Sequence, residues 1–293
     1  GVLPWSPKAL DGLPTTKRLD SGGWPQGWGQ RTAVMGVINV TPDSFSDGGR
    51  FLASERALAE AQRQLSRGAD VLDLGAQSTR PGAEEVGAEE ELRRLLPALK
   101  SIRKHCPEAL ISIDTFLAPV AAKALEAGAN WINDVSGGRR DPDLLRVVAD
   151  AGCPVVLMHS RGDSQTMDQL TTYADVVADV KEALLERSEA AIQAGVDERQ
   201  IIWDPGLGFA KTHEQNLQLL RDLEQLTAGP RPVLIGPSRK RFIGAVLDEP
   251  RPKARLWGTA AVACRCAQAG AAVLRVHDVG PISQTLRMAA ALW

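Results

Sequence analysis

The sequence predicts an α/β fold in which eight strand–helix units close into a (β/α)8 barrel. Short β-rich apolar runs alternate with longer helical stretches from about residue 32 onward, which is the pattern of a parallel sheet wrapped by helices. Eight such units follow one another, a number that favours closure over an open sheet. No Gly-rich fingerprint follows the first apolar run, so an open dinucleotide-binding sheet is the less favoured alternative.

Each predicted strand is a short apolar run with a polar residue at or near its end. The runs are AVMGVIN (33–39), DVLDLG (70–75), LISID (110–114), NWIND (130–134), PVVLMH (154–159), QIIWDP (200–205), PVLIGPS (232–238) and AVLRVHD (272–278). The segments between them have helical apolar spacing, and several end at Gly, as helices commonly do. Residues 1–30 are rich in Gly, Pro and Trp without periodicity. We therefore predict a short irregular N-terminal extension at 1–30 and a single barrel domain at 31–293.

The charge and composition of the chain disfavour several classes of partner. Lys and Arg number 34 against 36 Asp and Glu, a formal net charge of −2, so no long-range field would concentrate nucleic acid or an anionic membrane. No segment reaches the roughly 18 uninterrupted apolar residues that span a bilayer. The four cysteines show no metal-ligand spacing, and we interpret them as reduced thiols. We expect a cytoplasmic protein with small-molecule substrates and with no nucleic-acid or membrane partner.

Polar side chains mark the C-terminal ends of the predicted strands. They are Asn39, Asp73, Asp114, Asn133, His159, Asp204, Ser238 with Lys240, and Arg275 with His277. In a parallel barrel these ends meet on one face, where the loops that follow the strands build the active site. Any single Asp or Asn could be there only because it forms a turn. The complete set predicts one polar pocket.

Two groups of these side chains suggest what the pocket binds. Asp114, Asn133 and Asp204 suit the donor-rich edge of a 2-amino-4-oxo heterocycle such as a pterin, and Lys240 can donate to its ring oxygen or nitrogen. The alternative is a carboxylate–lysine network that only stabilises the barrel. Strand alternation places Arg275 and His277 on one side, where both could hold a phosphate, although a core histidine remains an alternative for His277.

The first predicted strand ends beside the eighth in a closed barrel. The amide oxygen of Asn39 could therefore help to hold a Mg²⁺ that bridges diphosphate oxygens, because Mg²⁺ keeps several waters and needs few protein ligands. The first loop, NVTPDSFSDGG (39–49), has the composition of a mobile lid. The second loop, GAQSTRPGAEE (75–85), presents a hydroxyl at Thr79 and a guanidinium at Arg80 that could contact an anion.

The motifs in these loops resemble those of a known family. NVTPDSFSDGG, STRPGA, SIDT (112–115), INDVSGG (132–138), DPGLGFAK (204–211), PSRKRF (237–242) and RVHD (275–278) are similar to the ordered motif set of the dihydropteroate synthases. The resemblance covers about residues 32–293. It implies a TIM barrel, usually a homodimer, that acts in folate synthesis with Mg²⁺. It also implies inhibition by sulfonamides, which compete with p-aminobenzoate.

The resemblance implies a role for each matching residue. The pterin-binding residues would be Asp114, Asn133, Met158, Asp204, Gly208, Phe209 and Lys240. Diphosphate would contact Asn39, Thr79, Arg275, Val276 and His277, with Asn39 as the Mg²⁺ ligand. The p-aminobenzoate pocket would use Phe45, Thr79, Pro81, Phe209, Ser238 and Lys240. The catalytic set would be Asn39, Asp47, Arg80, Asp114 and Lys240.

The implied reaction begins with loss of diphosphate from the pterin methylene group. The amine of p-aminobenzoate then attacks the cation-like carbon, so the protein acts mainly through electrostatics and needs no covalent nucleophile. Closure of both loops would keep water away from the reactive pterin.

One departure from the family pattern lies in the second loop. Ala76 and Gln77 stand where the family commonly has Gly and Glu, which removes a carboxylate but keeps the hydrogen-bonding capacity of the side chain. Two other functions remain open: a methyltransferase that uses a pterin-bound methyl group, and a homologue that binds pterin without catalysis. The first would not need both loops and the RVH anchor. The second would be expected to lose Lys240, Arg275 or Asn39, and all are present.

Overall fold

The computed structural model describes residues 23–42 and 49–293. Eight strands occur in this part of the chain. They are β1 (Ala33–Asn39), β2 (Val71–Gly75), β3 (Ile111–Asp114), β4 (Trp131–Asp134), β5 (Val155–Met158), β6 (Ile201–Asp204), β7 (Leu234–Ile235) and β8 (Val273–Val276).

Helices follow the strands along the chain. They are α1 (Gly49–Ser66), α2 (Ala88–His105), α3 (Ala118–Glu126), α4 (Asp143–Ala151), α5 (Val176–Gln193), α6 (His213–Arg221), α7 (Glu224–Thr227), α8 (Arg241–Leu247), α9 (Leu256–Gln268) and α10 (Val279–Leu292). Short 3-10 turns cover Met167–Gln169, Glu198–Gln200 and Pro252–Arg255. Helix α5 begins where the Asp175 side chain accepts from Val177 N and Ala178 N, which satisfies amides that have no partner inside the helix.

The strands pair in the order β6-β5-β4-β3-β2-β1-β8-β7, and every pair is parallel. Strands β6 and β7 meet through a single bridge between Trp203 and Val233, supported by a 2.9 Å hydrogen bond from Trp203 N to Pro232 O. The sheet thus returns on itself, and the predicted (β/α)8 TIM barrel is confirmed.

Two predicted strands are shorter by three residues or more than the sequence indicated. The seventh was predicted at 232–238 but covers only Leu234–Ile235, because Pro232 and Pro237 flank it and have no N–H to donate to a ladder. The eighth was predicted at 272–278 but ends at Val276. There the amide of His277 donates instead to the Ser238 hydroxyl at 3.1 Å.

The barrel interior changes from apolar to polar along its axis. Its N-terminal half holds an apolar cluster of Trp28, Ala33, Met35, Val71, Trp131, Val156, Ile202, Leu234, Ala272 and Val273. Because side chains alternate along a strand, the next inward positions are two residues further on. There Asp73 follows Val71 and Arg275 follows Val273. A separate, larger apolar cluster lies between the strands and the helices. The polar half therefore faces the loops that follow the strands.

The described end of the N-terminal extension covers the opposite end of the barrel. The rings of Trp24 and Trp28 lie 5.9 Å and 6.0 Å from that of Trp131, whose indole N–H donates to Gly23 O at 2.6 Å. Residues 1–22 lie outside the described part, so the division at residue 30 stays a prediction. All four cysteines are free thiols.

Candidate active site

A cavity of about 580 Å³ opens at the C-terminal ends of the strands, within the usual size range for small-molecule sites. It brings together many of the predicted site residues: Asn39, Thr79, Arg80, Pro81, Asp114, Gly208, Phe209, Ser238, Lys240, Arg275 and His277. Asn133, Met158 and Asp204 are buried and do not line it. Phe45 and Asp47 lie outside the described residues.

A buried carboxylate organises the side chains that project from the strand ends. Asp73 is 0% exposed and accepts from Ser112 Oγ at 2.7 Å and from Asn133 Nδ2 at 3.1 Å. Arg275 Nε donates to it at 2.7 Å. We call Asp73, Asp114, Asn133, Asp204 and Arg275 the strand-end cluster. The sequence marked Asp73 only as a polar strand end and gave it no role.

Asp114 is the member of this cluster that can hold a proton near neutral pH. Burial, together with repulsion from Asp73, raises its pKa to about 8, although the Arg275 guanidinium opposes both effects. The Arg275 to Asp114 contact is long, at 3.4 Å, whereas the Arg275 to Asp73 contact is short. Asp73 therefore takes the strong ion pair, and Asp114 is left free to exchange its proton when a ligand arrives.

Asn133 carries an unsatisfied polar atom. Its Oδ1 is buried and has no hydrogen-bond partner among the described residues, while its Nδ2 is held by Asp73. A buried acceptor without a donor costs about 1–3 kcal/mol. The held orientation of this amide therefore presents an acceptor for a ligand N–H.

Asp204 adds a second acceptor, and Lys240 adds a donor. Burial raises the pKa of Asp204, and the ammonium of Lys240 counteracts this. Burial also lowers the pKa of Lys240 to about 8. Lys240 Nζ donates to Leu207 O and lies 5.0 Å from the centre of the Phe209 ring, a cation–π distance. The ion pairs of the strand-end cluster are made by Arg275, and not by a lysine as in the alternative that the sequence left open.

The turn that carries Gly208 and Phe209 is held by Lys211, a buried lysine to which no role was assigned from the sequence. Lys211 Nζ donates to Gly206 O at 3.0 Å and Phe209 O at 2.8 Å, and lies 2.9 Å from Nδ1 of His159. Burial lowers the pKa of His159 to about 2, so its neutral ring can accept an N–H of Lys211. Gly208 has φ 81°, and a Cβ there would approach Lys240 to 3.2 Å. This turn therefore requires glycine.

His277 lines the cavity together with Arg275, at the end that suits an anion, and its ring is neutral. Burial, with repulsion from Arg239 and Arg275, lowers its pKa to about 3. The Ser238 hydroxyl accepts from the His277 backbone N–H and lies 2.8 Å from Nδ1. If the hydroxyl proton is donated to Nδ1, the other ring nitrogen carries the hydrogen and can donate to an anion. His277 is thus not a core histidine bonded to a carbonyl.

Asn39 lies at the end of β1, exposed and beside this anion end. Its Oδ1 accepts from the Thr41 amide at 2.8 Å and from the Thr41 hydroxyl at 2.6 Å. Within residues 23–42 and 49–293, no group of three or more His, Cys, Asp or Glu side chains could hold a metal ion. A single neutral oxygen suits Mg²⁺ when phosphate oxygens and water complete its shell, provided that Thr41 releases it. Val276 belongs to the outer apolar cluster, so only its backbone could face an anion.

The second loop supplies the exposed side of the cavity. Thr79, Arg80 and Pro81 all line it, and Arg80 and Pro81 are exposed. In the part of the chain that the structure describes, no side chain is hydrogen-bonded to the Arg80 guanidinium. The group is therefore available for a ligand.

The fold and the cavity together define a barrel enzyme. One end of its cavity, at the carboxylates of the strand-end cluster, is polar and suits a heterocycle. The other end, which we call the cationic end, contains Arg275 and Arg80 and suits an anion. A family model described as "Pterin binding enzyme" matches residues 35–277. A dihydropteroate synthase of Synechocystis sp. is 48% identical over 266 residues, which cover 91% of this chain and 92% of that protein.

Two solved structures have the same fold. A dihydropteroate synthase of Xanthomonas albilineans with 4-aminobenzoic acid is 45% identical, has a TM-score of 0.84, and is matched over 90% of this chain and 94% of that one. A structure of the Xanthomonas albilineans enzyme in complex with 7,8-dihydropteroate is 42% identical, with a TM-score of 0.81 and the same coverage. The chain belongs to the dihydropteroate synthase family of pterin-binding enzymes.

Proposed function

We infer that this chain is a transferase of folate biosynthesis. It condenses 6-hydroxymethyl-7,8-dihydropterin diphosphate with p-aminobenzoate, and it releases diphosphate and 7,8-dihydropteroate. The observation that carries this function is the buried, unpartnered Oδ1 of Asn133, because Asp73 links this amide to Arg275, which lines the cavity. This arrangement favours a synthase over a pterin-dependent methyltransferase, because a methyl-group donor without a diphosphate would not need the cationic end.

We propose that the strand-end cluster and Lys240 bind the pterin ring. Asp114, Asp204 and the free oxygen of Asn133 are acceptors for its ring and amino N–H groups, and Lys240 donates to its ring oxygen or nitrogen. Met158, Gly208 and Phe209 would contact the ring face. The carboxylates also favour the positive charge that develops on the pterin when the leaving group departs.

The diphosphate group would bind at Arg275 and His277, with help from Thr79 and the backbone of Val276. Arg275 is placed by β8 and His277 by the Ser238 hydroxyl, so little reorganisation is required when negative charge develops on the leaving oxygen. Mg²⁺, when bound through Asn39, would neutralise further charge on the diphosphate. Arg80 would approach the same group from the second loop.

The C–O bond to diphosphate breaks, a C–N bond forms between the pterin methylene and the amine of p-aminobenzoate, and the amine gives up one proton to water or to the released diphosphate. We propose that Phe45, Thr79, Pro81, Phe209, Ser238 and Lys240 form the pocket of the second substrate. Asp47, in the first loop, would be a catalytic residue beside this pocket. A pocket completed by loops after the diphosphate has bound would exclude water from the reactive carbon.

We further propose that the chain forms a homodimer in the cytoplasm. An exposed apolar group on α8 and α9 supports the dimer: Trp257 is 79%, Val246 62% and Leu247 47% exposed, and such groups mark interaction surfaces. The structure describes no helix long and apolar enough to cross a membrane. Sedimentation velocity would give the mass of a dimer, and a single monomeric boundary would contradict the proposal.

The function is tested by product formation. Purified protein is mixed with the pterin diphosphate, p-aminobenzoate and Mg²⁺, and 7,8-dihydropteroate and diphosphate are quantified. We expect equal amounts of both products, and inhibition by a sulfonamide that competes with p-aminobenzoate. If the pterin diphosphate binds but no dihydropteroate forms at saturating p-aminobenzoate, the function is wrong and the chain is a binding homologue.

A further inference from the structure

The side chain that departs from the family pattern makes three hydrogen bonds inside the second loop. Gln77 Nε2 donates to Ser78 O at 2.9 Å and to Glu84 O at 2.7 Å. Its Oε1 accepts from Val86 N at 2.8 Å. Gln77 is 8% exposed, so these bonds are largely shielded from water. They tie the start of the loop to its end.

A second contact fixes the outer side of the same loop. Ser164, in the segment after β5, donates through its hydroxyl to Ala83 O at 2.6 Å, and its own carbonyl accepts from Gly82 N at 2.6 Å. The Gln77 and Ser164 contacts hold the residues that follow Pro81. The short segment that contains Thr79, Arg80 and Pro81 is thereby presented to the cavity.

The amide of Gln77 makes hydrogen bonds that a carboxylate could not make in the same loop arrangement. Both Nε2 hydrogens are donated to carbonyl oxygens, and both of these bonds need a donor. A carboxylate has none, and it would place negative charge against two carbonyl oxygens. A glutamate at this position would need a different loop arrangement to satisfy its neighbours.

We propose that Gln77 is a positioning residue for the second substrate. Its amide holds the second loop in the arrangement that completes the p-aminobenzoate pocket, so that less conformational entropy is lost when the substrate binds. This inference rests on the proposed function. It goes beyond that function by assigning substrate positioning to a side chain that borders the cavity and acts through its hydrogen bonds to the second loop.

The barrel contains a matched control for a test. Gln200 has the same bonding pattern, because its Nε2 donates to Val148 O and Cys153 O and its Oε1 accepts from Asp197 N. It is 2% exposed and lies just before β6, at the opposite end of the strands from the cavity. Gln77→Glu and Gln200→Glu therefore make the same chemical change in the two places.

The experiment measures steady-state kinetics and pterin binding for both variants. We expect Gln77→Glu to raise the KM for p-aminobenzoate roughly tenfold, with a much smaller change in kcat, since two modest hydrogen bonds are lost. Gln77→Met should do the same. The affinity for 6-hydroxymethylpterin, which carries no diphosphate, should be unchanged. Gln200→Glu should lower thermal stability and leave both KM values within about twofold.

Hydrogen exchange separates this inference from the proposed function. In Gln77→Met, amide exchange in residues 78–86 should become faster, whether or not the protein makes dihydropteroate. Equal KM values for p-aminobenzoate in Gln77→Glu and Gln200→Glu would overturn the positioning role, as would unchanged exchange in the second loop. If the wild-type protein is inactive but loop exchange is faster in the variant, the proposed function is wrong. The conclusion that the Gln77 amide holds the second loop would still stand.

Discussion

The strand-end cluster, through Asp114 and Arg275, and the second loop both contribute to the lining of one cavity, and the two regions are built in different ways. Asp73 and Asn133 are fixed on strands, buried, and bonded to each other. Arg80 and Pro81 are exposed and depend on Gln77 and Ser164 for the placement of their loop. From this difference we expect the pterin site to exist before substrate binds and the p-aminobenzoate pocket to be completed during the reaction.

The largest expected effect comes from the strand-end cluster. Asp204→Asn keeps the size of the side chain but replaces one acceptor for the pterin with a donor. Because hydrogen bonds to charged groups contribute about 1.5–3 kcal/mol, we expect kcat/KM for the pterin diphosphate to fall roughly 100-fold. The KM for p-aminobenzoate should change much less. A loss below about threefold in kcat/KM would show that Asp204 does not contact the pterin.

A smaller effect tests the proton on Asp114. Since burial raises its pKa to about 8, the free enzyme must release a proton before this carboxylate can accept from the pterin. We expect the affinity for 6-hydroxymethylpterin to rise as the pH increases toward 8, by at most roughly tenfold per pH unit, and then to level off. Titration calorimetry in two buffers should detect proton release below pH 8.

Asp114→Asn serves as the control for the pH dependence of pterin affinity, because the variant should abolish it.

The raised pKa of Asp114 also affects the stability of the folded protein. Because the pKa in the folded state lies above the ordinary value of 3.8, ionisation of Asp114 opposes folding. Its contribution is most favourable below pH 3.8 and is lost as the pH rises through about 8. The variant should therefore gain stability relative to the wild type at alkaline pH. Equal pH profiles for both proteins would contradict the assignment.

A substitution in the second loop is expected to change the stability of the folded protein least. Arg80→Ala removes an exposed guanidinium, so the free energy of unfolding should stay within about 0.5 kcal/mol of the wild type. We expect kcat/KM to fall roughly tenfold, because one contact to the leaving diphosphate is lost. Urea denaturation and initial rates give the two numbers. A stability loss similar to that of a core substitution would show that the loop is part of the rigid scaffold.

The sequence predicted the barrel and many of the residues that line the cavity, because both follow from local patterns. Apolar runs that end in polar residues identify strands and the face on which they converge. Contacts between distant residues were not predictable in this way. Arg275 and Asp73 are 202 positions apart, so no local pattern shows that Asp73 holds both Arg275 and Asn133. Its strand-end position, shared with Asp114, was the available signal.

Two other features depend on partners that only the fold brings together. Lys211 was visible in the DPGLGFAK motif, but its carbonyl acceptors and His159 converge only in the folded turn. Gln77 was recognised as a departure from the family pattern, and its bonds to the second loop became apparent with the loop's conformation. The roles of Phe45 and Asp47 remain predictions, because both lie outside the described residues.

The most direct test of the difference between the two sides of the cavity is calorimetry of each ligand alone and in combination. We predict that 6-hydroxymethylpterin binds to the free protein, and that p-aminobenzoate gives measurable heat only after diphosphate and Mg²⁺ have been added. If p-aminobenzoate binds equally well without diphosphate, its pocket is preformed. The contrast between a fixed strand-end cluster and a loop-completed pocket would then be wrong.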